Sequence, residues 1–164
     1  IAIQAALTGH LVFSTLHTND APGAVARLID MGMEPFLIAS SLMIVVGQRL
    51  LRKVCQKCKR VYKPSPELIK ELRLSEMKDI TFVEGEGCHE CRGTGYSGRI
   101  AIYEVLAIDE AIRNLIIAKA SSTTIRAAAL KSGFIGLREE GLEKAIKGIT
   151  TLEEVMRITQ EIEE

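Results

Sequence analysis

The apolar positions of the chain fall into runs of changing spacing. Residues 1–7, Ile1-Ala2-Ile3-Gln4-Ala5-Ala6-Leu7, read as the middle of a helix without a start signal, as expected of a piece cut from a longer chain. After Gly9 comes a continuous apolar run with β-branched and aromatic members, His10-Leu11-Val12-Phe13-Ser14-Thr15-Leu16. That pattern predicts a strand buried on both faces, as in a parallel sheet. Asn19, Asp20 and then Ala21-Pro22 signal a helix start. This helix runs through Val25, Leu28 and Ile29 and stops at Gly32. Glu34-Pro35 opens the next one, predicted to reach about Leu50. The longest apolar stretch, Phe36 to Val46, is interrupted by Ser40 and Ser41 and falls short of the roughly 20 residues that span a bilayer. It predicts a buried helix.

From about Arg52 to Ile100 the texture changes to charge, Gly and Pro, with few large apolar side chains. Pro64-Ser65-Pro66 breaks the chain, a short helix is predicted over 67–74, and glycines 85, 87, 93, 95 and 98 mark turns. A stretch this polar buries little surface, so something other than a core is expected to stabilise it. Periodicity returns with a strand, Ile100-Ala101-Ile102-Tyr103-Glu104-Val105-Leu106. Helices follow. Asp109 caps one with Ile112, Leu115 and Ile116 on a face; Thr123 or Thr124 opens another, closed by Gly133. Leu137, Leu142, Ala145, Ile146 and Ile149 form the stripe of a third, with Gly148 near its end. Thr150-Thr151-Leu152-Glu153 has capping-box spacing for a last helix.

Composition narrows the class. Of 164 residues 47% are apolar, so a packed core is available. Aromatics are scarce and Trp is absent, so that core is expected to use Leu, Ile, Val, Ala and Met. The net charge is zero, which speaks against a nucleic-acid partner. No basic segment followed by an apolar run and a cleavage site appears, and a cytoplasmic location is expected.

The four cysteines carry the sharpest chemistry. Cys55-Gln56-Lys57-Cys58 and Cys88-His89-Glu90-Cys91 are two C-x-x-C turns, each able to bring two sulfurs to one ion. Four thiolates suit one structural zinc and leave no open position for water. An iron–sulfur cluster uses the same donors, and disulfides or free thiols are further alternatives. His89 is expected at the surface. Removal of zinc is expected to melt residues 52–100 while the flanking helices survive. Between Arg49 and Lys63 there are seven basic residues and no acidic ones. They fit either an acidic partner, such as anionic lipid or protein, or charge balance around a zinc–thiolate centre of net charge about −2.

His17 lies just past the predicted strand, where α/β folds place ligand-binding groups. Thr15, His17 and Thr18 would present hydroxyl and imidazole donors to a phosphate there. Taken alone, a loop histidine with local hydrogen bonds is the simpler reading.

The segment Ala6-Leu7-Thr8-Gly9-His10-Leu11-Val12-Phe13-Ser14-Thr15-Leu16-His17-Thr18-Asn19 closely resembles the histidine box of the bacterial secretion ATPases, which power type II secretion and type IV pilus assembly. The resemblance continues through Arg27 to Phe36, Gln48-Arg49-Leu50, both C-x-x-C turns, Gly95-Tyr96-Ser97-Gly98-Arg99 and Gly148 to Val155. It implies an α/β fold: residues 1–51 as the C-terminal portion of a RecA-like P-loop ATPase core, residues 52–100 as an inserted tetracysteine zinc subdomain, and residues 101–164 as a strand with a C-terminal helical bundle. It further implies that His17 senses the γ-phosphate, with Thr15 and Thr18 beside it and His10 in the same box. The implied protein is a homo-hexamer that uses ATP and magnesium, peripheral on the cytoplasmic face of the inner membrane through a platform or docking protein.

The residues given contain no G-x-x-x-x-G-K-[ST] and none of the acidic segments expected to hold magnesium. This chain alone is therefore expected not to hydrolyse ATP. An alternative family likeness is narrower. Cys88-His89-Glu90-Cys91-Arg92-Gly93-Thr94-Gly95 resembles the zinc-knuckle unit of Hsp40-type chaperones, but Arg60 stands where the first turn would need Gly.

Overall fold

The computed structural model describes residues 1–72, 74 and 80–160. The fold is α/β, in the order α1 (Ala2–Leu7), α2 (Ala21–Asp30), α3 (Pro35–Ser41), β1 (Ile44–Val54), β2 (Lys59–Tyr62), α4 (Pro66–Glu71), β3 (Phe82–Gly85), β4 (Tyr96–Ala107), α5 (Glu110–Ile117), α6 (Ser122–Lys131), α7 (Leu137–Ile146) and α8 (Leu152–Gln160). Strands β1 and β4 form one two-stranded sheet; β2 and β3 form another. The chain divides into two compact units, each discontinuous: Ile1–Gln48 with Tyr103–Gly136, and Arg49–Ile102 with Leu137–Glu164. Among the described residues no helix is long and apolar enough to cross a membrane.

In the first unit, local signals set the helix ends. Asp20 caps α2 by accepting from the Gly23 amide at 2.7 Å, and Asp109 caps α5 by accepting from the Ile112 amide at 2.8 Å. Helix α6 is capped earlier than expected: Ser121, not Thr123 or Thr124, accepts from the Thr124 amide. The core gathers Val25, Ile38, Leu106, Ile108, Ile112, Ile116 and Ile125.

Two expectations fail here. Residues 10–16 form no strand, and Leu11 and Phe13 are 76% and 87% exposed. A strand exists only as a hydrogen-bonded ladder, and no described segment pairs with this run. The helix expected to reach Leu50 ends at Ser41, where the Ser40 and Ser41 hydroxyls donate to the carbonyls of Phe36 and Leu37 at 2.7 and 2.6 Å. Serines bonding back to the preceding turn weaken a helix. The β-branched Ile44-Val45-Val46 then opens β1, whose ladder partner β4 is remote in sequence.

The second unit has a core that its polar sequence hides. Leu51, Ile80, Phe82, Ile102, Leu137, Ala145, Leu152 and Val155 are buried together. The expectation that the cysteine-bearing stretch lacks a core is thus overturned, because its apolar residues pack with those of α7 and α8. Strands β2 and β3 pair antiparallel, with Val61 opposite Val83 and Tyr62 opposite Phe82. Helix α4 starts at its Ser65 cap; of the predicted 67–74 span, residue 73 lies outside the described residues. Helix α8 is capped one residue later than the capping-box spacing suggests. Thr151 accepts from the Glu154 amide at 3.1 Å, while the Thr150 hydroxyl donates to the Arg52 carbonyl.

Candidate functional site

The two C-x-x-C turns converge within the second unit. Cys55 Sγ lies 3.8 Å from Cys88 Sγ, Cys58 Sγ 3.8 Å from Cys91 Sγ, and Cys88 Sγ 3.7 Å from Cys91 Sγ. All four sulfurs lie within 4.8 Å of one another and none is in a disulfide. A disulfide would need about 2.0 Å. A tetrahedral ion with metal–sulfur bonds of about 2.3 Å has edges of about 3.8 Å, so the donor set fits a single metal ion.

Backbone geometry builds this cage. The β2–β3 hairpin carries Cys58 at its entry, and the Glu86 amide donates to the Cys58 carbonyl at 3.1 Å. In the second turn the amides of Cys88 and Gly95 each donate to Cys91 Sγ at 3.2 Å. Gly95 has φ +77°, and a Cβ there would stand 2.6 Å from the Gly85 carbonyl oxygen, so a side chain would push the turn off the hairpin. The Cys88 and Gly95 amides hold the Cys91 thiol low, at about 6. Desolvation pushes Cys58 up to about 12. A bound cation would favour the thiolate at every position. His89 is exposed.

Around the cage, part of the basic stretch has internal partners. Arg60 pairs with Glu84 at 2.5 Å and with Glu86 at 3.4 Å. Lys59 Nζ donates to the Gly148 carbonyl at 2.8 Å, at the end of α7. Arg52 pairs with Glu154 at 2.6 Å and lies 4.0 Å above the Tyr96 ring.

The histidine-bearing segment lies in the first unit without regular structure. His10, Thr15 and His17 are exposed and Thr18 is half-buried. His10 Nδ1 stands 3.1 Å from the Thr8 hydroxyl, and Thr18 donates to the Asp20 carbonyl at 3.2 Å. With no strand at 10–16, His17 does not stand at a strand end as expected, and only the family resemblance links it to a phosphate. Sequence reading passed over two charged clusters, Asp20–Glu104–Arg126 and Arg52–Glu154–Arg157. The first had a signal: Glu104 shares the inward face of β4 with Ile102 and Leu106, which flank it at a spacing of two.

Residues 1–157 match the family described as type II/IV secretion system protein. The chain is 52% identical to the type IV pilus assembly ATPase PilB of Thermus thermophilus, over 98% of this chain and 18% of that protein. It is 46% identical to the type II secretion system ATPase E of Vibrio cholerae, over 98% of this chain and 32% of that protein. The chain thus spans less than a third of these relatives' length. Among solved structures, the pilus retraction motor PilT with bound ADP aligns with a TM-score of 0.60 at 24% identity, over 96% of this chain and 34% of that one.

Proposed function

The chain belongs to the type II/IV secretion system protein family, and from that premise we propose that it is the C-terminal part of a RecA-like ATPase driving type II secretion or type IV pilus assembly. The observation that carries this reading is the match over nearly the whole chain to proteins named as ATPases of both machines. The match takes precedence over the Hsp40-type alternative, which rests on one motif. In this reading the complete protein is a cytoplasmic homo-hexamer held at the inner membrane by a platform or docking protein.

Cys55, Cys58, Cys88 and Cys91 hold one zinc, whose four sulfur ligands fix the two turns and leave no position for catalysis. The metal-bearing region acts as a structural projection or docking surface. Thr15, His17 and Thr18 face the nucleotide, with His10 in the same segment. An imidazole donor at the γ-phosphate loses its acceptor when that phosphate leaves, which biases a domain movement. ATP and magnesium are held by parts of the protein outside these residues.

In the longer ATPase that contains this chain, His17→Ala is expected to lower kcat for ATP about tenfold or more. Unchanged turnover would overturn the assignment of His17. The 164-residue chain alone is expected to show no hydrolysis above its own His17→Ala control. Metal analysis is expected to find one zinc per chain, and iron or no metal would refute the zinc reading.

A further inference from the structure

Separate stretches of the first unit meet at the end of the segment that carries His17. Strand β4 turns Glu104 inward, where it is 1% exposed. Its Oε1 accepts from the Ala21 amide at 2.5 Å, in the first turn of α2. Strand β1 leaves room for this carboxylate: a Cβ on Gly47 would stand 2.7 Å from Glu104 Cγ and 2.8 Å from its Oε1. Helix α6 supplies Arg126, whose Nη2 donates to Asp20 Oδ2 at 2.7 Å and lies 3.8 Å from Glu104 Oε2. The same guanidinium sits 5.8 Å from the Phe134 ring centroid.

Capping α2 needs only Asp20 and the Gly23 amide. A buried carboxylate and an arginine from a distant helix exceed that need, and burying charge is costly unless it is paired. What the cluster adds is a fixed point. Asp20 accepts from Gly23 through one oxygen and from Arg126 through the other, and its carbonyl accepts the Thr18 hydroxyl. The segment before it is fastened at its start by the His10 amide donating to the Ala5 carbonyl at 3.2 Å. Between these points its backbone has no regular structure.

We propose that Arg126, with Glu104, is a positioning residue for the histidine segment: it pins Asp20, three residues past His17, to the core of the unit and so sets where His17 is held. This inference rests on His17 facing the nucleotide.

The test uses the longer ATPase containing this chain. Arg126→Ala is expected to lower kcat about tenfold with KM for ATP changed less than about twofold, and Arg126→Lys, which keeps a cation beside Asp20, to recover most of the loss. In a His17→Ala background, Arg126→Ala is expected to cost less than about twofold further, because nothing remains to be positioned. Losses that multiply in the double variant, or wild-type kcat in Arg126→Ala, overturn the proposal. Should Arg126→Ala fail to fold, Asp20→Asn keeps the cap, removes the ion pair and carries the same expected and contrary results. If His17→Ala leaves kcat unchanged, the nucleotide-facing assignment falls by itself. Positioning is then decided by a nitroxide side chain carried at position 14: faster motion in Arg126→Ala sustains it, and an unchanged spectrum overturns it.

Discussion

At Glu154, burial and charge pull one carboxyl in opposite directions. Its side chain has no exposure, and desolvation raises its pKa. Arg52 at 2.6 Å, Arg157 at 2.9 and 3.0 Å, and the Arg52 amide at 3.0 Å favour the ionised form and prevail, holding it at about 2 instead of 4.5. Because the folded value lies below the unfolded one, this stability is fully present above about pH 4.5 and is lost as the pH falls towards 2. Glu154→Gln is expected to destabilise the second unit by about 2 kcal/mol at pH 7 and to flatten the acid limb of its stability curve. Denaturant unfolding at several pH values checks this; a wild-type acid limb in the variant would contradict it. The sequence shows Glu153 and Glu154 side by side, and nothing local says which one turns inward. That depends on where Arg52 lies, 102 residues away.

Among the elements, hydrophobicity proved a weaker guide than pairing. The run at 10–16 and the stretch at 44–54 are both rich in β-branched and apolar residues, yet only the second is a strand. The difference is a partner: β4 supplies the ladder for β1. A paired measurement expresses the contrast. Phe82→Ala, at a residue with no exposure in β3, is expected to cost about 3–5 kcal/mol. Phe13→Ser, at a residue 87% exposed, is expected to leave the stability of this chain within about 0.5 kcal/mol. Equal losses by chemical denaturation would place Phe13 in a core. Helix ends were more legible than strands. Asp20 and Asp109 cap amides three residues on, an interaction contained in the local sequence.

On the scale of the whole molecule, the cysteine-bearing stretch is joined to α7 and α8 by a shared core. Leu51, Phe82 and Ile102 pack with Leu137, Ala145, Leu152 and Val155. Loss of a metal held by the four cysteines is therefore expected to loosen more than residues 52–100. Chelation should lower amide protection in β2, β3, α7 and α8 together, while α2, α5 and α6 of the first unit keep theirs. Hydrogen exchange with and without chelator measures this, and protection lost only between residues 52 and 100 would contradict it.

Local features could be read from residue order alone. That order placed the four thiols in two C-x-x-C turns and set the caps of α2 and α5, and its motifs carried the family and, with it, the α/β class. Caps and C-x-x-C turns are legible because their partners lie within a few residues. Tertiary structure decided whatever depends on a distant partner. It made 44–54 a strand, left 10–16 without a ladder, gave a polar stretch its core from α7 and α8, and set Glu104 against the start of α2. A hydrophobic or charged residue announces that it needs a partner, but only the folded chain determines which one it meets.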